Sequence, residues 1–258
     1  MIFLRLIVRL CLFGILGAIW LLAGTYLYLS PNLPNVETLR DVKLQTPMLV
    51  YSREGELIGQ FGEQKRSPLP FDAIPEQFIK SLLAAEDDNY FVHNGIDVPG
   101  LMRAVSELIL TGEKGSGGST LTMQVARNYF LNLDRTFMRK FNEILLAIEI
   151  ERALSKQEIF ELYFNRVFLG HRAYGFEAAS QVYYGRSIGE LSLAQHAMLA
   201  GVPKAPSRDN PVSGPDGGKQ RRDWILGRML TLGYISDTQY QSARLKPDSA
   251  RIHGAKLG

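Results

Sequence analysis

Residues 84–97 read Ala-Ala-Glu-Asp-Asp-Asn-Tyr-Phe-Val-His-Asn-Gly-Ile-Asp, and the rest of the chain is organised around them. Apolar residues between 78 and 83 recur at helical spacing and place Glu86 on the same face as the core positions. Acidic side chains at a helix C-terminus oppose the helix dipole, so helix propensity does not explain Glu86, Asp87 and Asp88 here. A carboxylate directed toward an apolar face is a candidate site, and an ordinary polar helix end is the alternative.

Composition narrows the class of protein. The chain has 258 residues, 46% of them hydrophobic and 21% charged, which is typical of a globular protein and excludes general disorder. This length suits one large domain, alone or with a small appendage. The net charge of +3 argues against a nucleic-acid partner, because such proteins usually carry a strong basic excess.

The N-terminal segment has the pattern of a membrane anchor. Leu10–Leu29 is an uncharged, mostly apolar run long enough to span a bilayer, and Arg5 and Arg9 before it favour a cytoplasmic N-terminus. A cleaved signal peptide is the alternative, but no small-x-small cleavage site follows the run. We therefore expect residues 1–29 to form a cytoplasmic tip and a single transmembrane helix, with everything from Ser30 onward outside the cytoplasm.

Cysteine usage limits what can stabilise the exported part. The only cysteine, Cys11, lies inside the apolar run, so no disulfide is available beyond it. Four scattered histidines do not form a Cys/His metal cluster either. A hydrophobic core must therefore hold the domain together.

The remaining chain divides into a linker region and a long helical region. Residues 30–75 predict a linker and a short β-hairpin at 48–61, followed by helix-breaking prolines. Helical patterns then continue to about residue 245, with capping boxes at Ser155 and Ser236. The predicted helices include 101–110, 135–154, 176–184, 191–200 and 220–230, with a proline- and glycine-rich loop at 203–218.

A glycine-rich loop precedes one of these helices. Residues 112–128 run from this loop into Ser119, which we predict to be the helix N-cap. Loop amides at a helix N-terminus suit a phosphate, although no Gly-Lys-Ser/Thr closes a nucleotide P-loop here. A simple mobile connector is the alternative.

Charged residues line one face of the helix predicted at 135–154. Arg135, Arg139 and Glu143 are each four residues apart, and Lys140 is adjacent. One interpretation is a cationic strip with one acid beside a phosphate-binding loop. The alternative is a surface salt-bridge ladder, in which each pair stabilises the helix by only about 0.3–0.5 kcal/mol.

The helix predicted at 101–110 is apolar on more than one face. Leu101, Val105 and Leu108 form one stripe, while Met102 and Ile109 lie off it. Such a helix is either fully buried or in contact with lipid.

Five segments in this order carry a family resemblance. They are Glu86-Asp87-x-x-Tyr90-x-x-His93-x-Gly95, Gly117-Gly118-Ser119-Thr120-Leu121-Thr122-Met123-Gln124, Arg139-Lys140-x-x-Glu143, Lys156-x-x-Ile159-x-Glu161-x-Tyr163-x-Asn165 and Arg221-Arg222-x-x-Ile225-Leu226. Over residues 40–245 the chain resembles the peptidoglycan glycosyltransferases (glycosyltransferase family 51) of bifunctional, Gram-negative class A penicillin-binding proteins. It departs at Tyr90, Met123 and Arg127, where phenylalanine, glutamine and lysine are usual.

The resemblance implies a mostly α-helical, lysozyme-like glycosyltransferase domain at 76–245. Such enzymes join the growing lipid-linked glycan, as donor, to lipid II, as acceptor, with inversion to a β-1,4 linkage and release of undecaprenyl pyrophosphate. The resemblance implies no obligatory cofactor. A divalent cation, Mg²⁺ or Mn²⁺, is compatible with the pyrophosphate, but the sequence does not identify residues that would bind it.

The resemblance also assigns roles to residues. Glu86 is the implied general base and Glu143 an assisting carboxylate. The substrate-binding residues it implies are Asp87, Ser119, Gln124, Arg127, Asn128, Arg135, Arg139 and Lys140. The supporting residues it implies are His93, Glu161, Tyr163, Asn165 and Arg222.

Location and partners follow from the same resemblance. We expect a bacterial inner-membrane protein with a periplasmic catalytic domain, which meets lipid II, the lipid-linked glycan and other cell-wall synthesis proteins. Of the transpeptidase motifs, Ser-x-x-Lys and Lys-Thr-Gly do not occur, and Ser-x-Asn is matched only by Ser30-Pro31-Asn32 in the predicted linker, so 246–258 is interpreted as the start of a missing C-terminal region.

Two other functions stay open at this point. A lysozyme-like muramidase needs an acid but no basic pyrophosphate strip, so Arg135, Arg139 and Lys140 argue against it. A non-catalytic, membrane-anchored cell-wall scaffold needs neither Glu86 nor Glu143, and both are present.

Overall fold

The computed structural model describes residues 2–29, 31, 33–42, 48–54, 57–61, 65–112, 118–131, 137–208 and 210–254. Ten α-helices and one two-stranded sheet occur in this part of the chain. In chain order they are α1 (Ile2–Leu29), β1 (Met48–Tyr51), β2 (Leu57–Phe61), α2 (Glu76–Glu86), α3 (Val98–Thr111), α4 (Leu121–Phe130), α5 (Phe137–Ala153), α6 (Lys156–Arg166), α7 (Phe176–Tyr184), α8 (Leu193–Gly201), α9 (Pro215–Thr231) and α10 (Asp237–Leu245). The prediction of a mostly helical fold is confirmed.

The two strands form the predicted hairpin. β1 and β2 are antiparallel, with Met48 opposite Phe61 and Val50 opposite Gly59. The chain then runs past α6, where the Asn165 amide bonds both backbone groups of Leu69, at 2.9 and 2.8 Å. The prolines of this segment cannot extend the sheet, so side chains of α6 satisfy its backbone instead.

Aromatic packing holds α2 against the core. Phe78 of α2 is fully buried, and its ring lies 5.6 Å from that of Phe164 and 4.8 Å from that of Phe176, measured between centroids. Leu82, one turn later, is also fully buried, as the helical spacing predicted. Burying each such side chain contributes about 1.5–3 kcal/mol, so the C-terminal residue of α2, Glu86, stands on a rigid helix.

The helix caps agree with the sequence except in one place. The capping boxes at Ser155 and Ser236 are both present. The predicted N-cap Ser119 is wrong, because the Thr120 hydroxyl caps α4 by accepting from the Met123 N–H at 3.2 Å. The Ser119 hydroxyl is engaged elsewhere, since it accepts a hydrogen bond from Lys140 Nζ at 2.8 Å.

The start of α9 also differs from the prediction. This helix begins at Pro215, inside the segment interpreted as a loop, and not near residue 220. Proline suits a first helical position because its missing N–H has no partner to lose there.

Helix α3 exposes much of its apolar surface. The exposed fractions are 66% for Met102, 77% for Ile109 and 83% for Leu110. These side chains therefore do not belong to a buried core, whereas those of Val105 and Leu108 lie outside the described set. Within the described residues, no helix combines the length and the apolar character that crossing a membrane requires.

Candidate active site

Glu86 is held by a chain of two hydrogen bonds. Gln124 Nε2 of α4 donates to Glu86 Oε2 at 2.9 Å, and the Tyr163 hydroxyl of α6 donates to Gln124 Oε1 at 3.2 Å. Burial holds the pKa of Tyr163 well above its ordinary value, so the phenol stays protonated and acts as a donor. Tyr163 thereby turns the amide N–H toward Glu86. Among the described residues none donates to Glu86 Oε1.

The surroundings of Glu86 favour its protonated form. Desolvation is the main cause that raises the pKa of this carboxyl, and the neighbouring Asp87 adds to it. The Gln124 hydrogen bond and the charges of Arg221 and Arg127 act in the opposite direction without cancelling the burial. The residue as a whole is partly accessible to solvent. A carboxylate with a raised pKa and one open oxygen is suited to accept a proton.

The other two acids of the opening stretch are bound within the protein. Asp87 accepts from His93 Nε2 at 3.0 Å and from the Leu121 N–H, at the first turn of α4, at 2.9 Å. Asp88 forms an ion pair with Arg228 of α9. The contact with Leu121 satisfies an unpaired N–H at a helix N-terminus. The substrate-binding role that the resemblance implied for Asp87 stays a prediction.

A second cluster surrounds Glu143 on α5. Its carboxylate is fully buried and accepts from Arg139 at 3.1 Å and from Lys140 at 3.0 Å. Lys140 also bonds Ser119 and thereby ties α5 to the start of α4. The side chains of Arg139 and Lys140 are 20% and 37% exposed, so positive charge faces outward over a buried acid. Arg135 lies outside the described residues.

Helix α4 lies between the two clusters. It packs against both α5 and α6, and it carries Gln124 and Arg127 toward Glu86. Asn128, the next residue, is partly buried, and its carbonyl accepts from Arg166 at 3.4 Å.

The predicted supporting residues lie in structural contacts. Glu161 accepts from the Phe71 N–H at 2.8 Å, beside the Asn165 bonds to Leu69. Arg222 is 1% exposed and donates to the carbonyls of Arg244 and Lys246, at 3.1 and 2.9 Å. Arg222 therefore fastens the end of α10 to α9.

The residue that sequence reasoning missed is Arg221. It donates to the Ala85 carbonyl at 2.9 Å, directly beside Glu86. The sequence motif contains both arginines, but the resemblance assigned a supporting role to Arg222 and no role to Arg221. Consecutive helical residues point about 100° apart, and only the packing of α9 decides which of the two faces α2.

The sequence left open whether the site binds a metal ion. The described residues contain no group of three or more His, Cys, Asp or Glu side chains placed to hold an ion. The cations bonded to Glu143 do not leave its oxygens free as metal ligands. A divalent cation at the pyrophosphate therefore stays a prediction.

Together these features define a class of site. One carboxylate is placed to accept a proton, and α5, which packs on the helix α4 that supplies Gln124, carries cations able to hold an anionic group, as in group transfer with a charged leaving group. The chain belongs to the transglycosylase family, because the family model described as Transglycosylase matches residues 54–230. This confirms the family that the five sequence motifs indicated.

Two curated proteins and one solved structure are similar to this chain. Penicillin-binding protein 1A of Pseudomonas aeruginosa is 56% identical over 243 residues, which are 94% of this chain and 30% of that protein. Penicillin-binding protein 1A of Escherichia coli is 46% identical over 234 residues, 91% of this chain and 28% of that protein. A crystal structure of penicillin-binding protein 1A from Haemophilus influenzae is 29% identical, with a TM-score of 0.48, and the match covers 83% of this chain and 22% of that one. The chain spans less than a third of the length of these relatives.

Proposed function

We propose that this chain is a peptidoglycan glycosyltransferase domain that polymerises lipid II into β-1,4 glycan strands. The observation that carries the proposal is Glu86, a carboxylate with a raised pKa whose Oε2 is fixed by Gln124 while Oε1 stays open. An acceptor sugar hydroxyl is a weak nucleophile and needs such a base. The family match supports the reaction type. No transpeptidase activity is attributed to this part of the chain.

In the proposed reaction, the acceptor hydroxyl of lipid II gives its proton to Glu86 Oε1 as its oxygen attacks the anomeric carbon of the donor. The bond from that carbon to the pyrophosphate breaks on the opposite face, which inverts the configuration. Undecaprenyl pyrophosphate leaves as an anion, and Lys140 and Arg139 offset its charge. Gln124 keeps the base oriented throughout. Glu143 holds the two cations in place.

One assay separates this function from the alternatives. The chain is incubated with lipid II, and separately with intact glycan, and the products are resolved by size. We expect polymer from lipid II and no digestion of intact glycan. Digestion without polymerisation would identify a muramidase, and inactivity on both substrates would favour a scaffold.

The cationic cluster gives a prediction of its own. Replacing Lys140 by alanine should lower kcat/KM for lipid II roughly ten- to a hundredfold, the equivalent of one charged hydrogen bond of about 1.5–3 kcal/mol. High salt should reproduce part of this loss in the unaltered chain, because it screens an exposed charge.

A matched lysine provides the control. Lys80 pairs with Glu76 at 2.6 Å on the surface of α2, so Lys80→Ala should leave turnover unchanged. If Lys140→Ala lowers the melting temperature but keeps full turnover, the cluster around Glu143 is only a salt-bridge ladder.

The proposal extends to the membrane. Residues 10–29 anchor the chain in the inner membrane with the N-terminus cytoplasmic, and α3 dips into the outer leaflet beside a periplasmic catalytic domain. Extracting the prenyl tail of lipid II into water would cost about 0.8 kcal/mol per CH₂, so a site at the interface avoids this loss. The exposed Met102, Ile109 and Leu110 supply an apolar surface for such contact.

Truncation tests the role of α3. A chain that starts at Pro31 should still bind liposomes, though more weakly, and Met102→Ser with Ile109→Ser should abolish the residual binding, as measured by flotation. Leu245→Ser removes a leucine of α10 that is at least as exposed as Met102 and Ile109, and should change nothing. Equal binding by the double variant, or no binding by the truncated chain, would leave the anchor as the sole membrane contact.

A further inference from the structure

Arg221 connects α9 to the residue that precedes the proposed base. One of its terminal nitrogens donates to the Ala85 carbonyl at 2.9 Å. Ala85 lies in the last turn of α2, where carbonyls have no partner within the helix, so this bond closes the end of the helix that carries Glu86. The contact joins residues that are 136 positions apart in the sequence, and therefore depends on the packed fold.

Two neighbours determine where the guanidinium of Arg221 lies. It stacks on the Trp224 ring at 4.2 Å from the centroid, one turn further along α9. On α8, a Cβ atom at Gly201 would come within 2.7 Å of Arg221 Cγ. The glycine of α8 therefore leaves the space that the stem of Arg221 occupies, and the side chain has little freedom to move away.

The charged and titratable groups that act on Glu86 come from four directions. Arg221 approaches from α9, Arg127 from α4 and the Tyr163 phenol from α6, while Asp87 is next in the chain. Desolvation and Asp87 disfavour the charged carboxylate that a base must present, and the two arginines favour it. Of these two arginines, Arg221 also donates a hydrogen bond to the backbone of the same helix turn.

We propose that Arg221 is a positioning residue for the reaction, which holds the last turn of α2 through the Ala85 carbonyl and places a positive charge beside the Glu86 carboxylate. This inference rests on the proposed function. Trp224 and Gly201 serve it by fixing the guanidinium at that carbonyl.

The experiment measures kcat/KM for lipid II polymerisation against pH. The base must be deprotonated, so activity rises with pH through the pKa of Glu86. Arg221→Met removes the positive charge, raises that pKa and should move the acidic limb about one pH unit upward, which makes activity roughly tenfold lower at a fixed pH below the limb. Arg221→Lys keeps a positive charge without the forked guanidinium geometry. Its acidic limb should lie between those of the unaltered chain and Arg221→Met.

A second arginine of α9 is the matched control. Arg228 also reaches the opening stretch, through its ion pair with Asp88, and is not among the groups that shift the pKa of Glu86. Arg228→Met should lower the melting temperature and leave the acidic limb where it was. Gly201→Ala keeps the charge of Arg221 but displaces its stem, so it should shift the limb in the same direction by a smaller amount.

A readout without turnover makes the inference independent of the assay. NMR titration of the labelled Glu86 carboxyl in the full chain should give a higher pKa in Arg221→Met than in the unaltered chain. Identical titrations in these two proteins, or equal shifts in Arg221→Met and Arg228→Met, would overturn the role of Arg221. Absence of polymerisation by the unaltered chain would instead refute the proposed function, and the titration would still decide on Arg221.

Discussion

Replacing Glu86 by glutamine should reduce lipid II polymerisation by about 10²–10⁴-fold, the usual contribution of a general base. Glutamine keeps the size of the side chain and can still bond Gln124, but it cannot accept the proton of the acceptor hydroxyl. The loss should fall on kcat more than on KM, since the substrate contacts made by the cationic cluster around Glu143 stay intact. Initial rates on lipid II at several substrate concentrations measure both.

The same substitution should not unfold the protein. A carboxyl whose pKa is raised in the folded state takes up more protons there than in the unfolded chain, so its charge destabilises the fold as pH rises through the unfolded and then the folded pKa. At neutral pH we therefore expect a melting temperature equal to or above that of the unaltered chain. Asp88→Asn, which breaks the pair with Arg228, should show the reverse: lower stability and nearly full activity. Near-normal turnover in Glu86→Gln would disprove the assignment of the base.

Glu143→Gln should combine a loss of stability with a loss of activity. Its buried carboxylate neutralises Arg139 and Lys140, and removing one partner of a buried pair costs roughly 3–5 kcal/mol. For a chain of this size, that corresponds to a fall in melting temperature of roughly 6–20 °C. Activity should fall at least as far as in Lys140→Ala, because both cations lose the group that orients them. Thermal unfolding and initial rates test the two effects separately.

A surface pair on the same helix is the control for Glu143. Glu149 bonds Arg152 at 2.7 Å, with both side chains accessible to solvent, so Glu149→Gln should change the free energy of unfolding by less than about 1 kcal/mol. If Glu143→Gln has the same melting temperature as the unaltered chain, the ion pairs of Glu143 with Arg139 and Lys140 do not stabilise the fold. If it melts earlier but keeps full turnover at low temperature, the cluster serves the fold and not the reaction.

Local patterns predicted the helices well because their signals lie within a few residues. The spacing from Phe78 to Glu86 gave α2 and its end, and the capping boxes at Ser155 and Ser236 gave the starts of α6 and α10. In each case the competing conformation would leave a helix end unsatisfied or an apolar face in water.

The details that sequence reasoning missed depend on distant residues. Ser119 and Thr120 are both good caps, and a lysine on the next helix engages the first of them. Arg221 and Arg222 are chemically identical neighbours, yet one closes α2 and the other fastens the end of α10. Such choices follow from packing between helices, which no short window of sequence contains.

The hydrogen bond from Gln124 to Glu86 has a consequence for competing ligands. Because Oε2 already accepts from Gln124, Oε1 is the oxygen that keeps both of its acceptor positions for an incoming molecule. A guanidinium or amidine, which gains its affinity by gripping both oxygens of a carboxylate, is poorly matched to this geometry. A single hydroxyl or ammonium donor fits it, so inhibitor chemistry aimed at Glu86 should begin from monodentate groups.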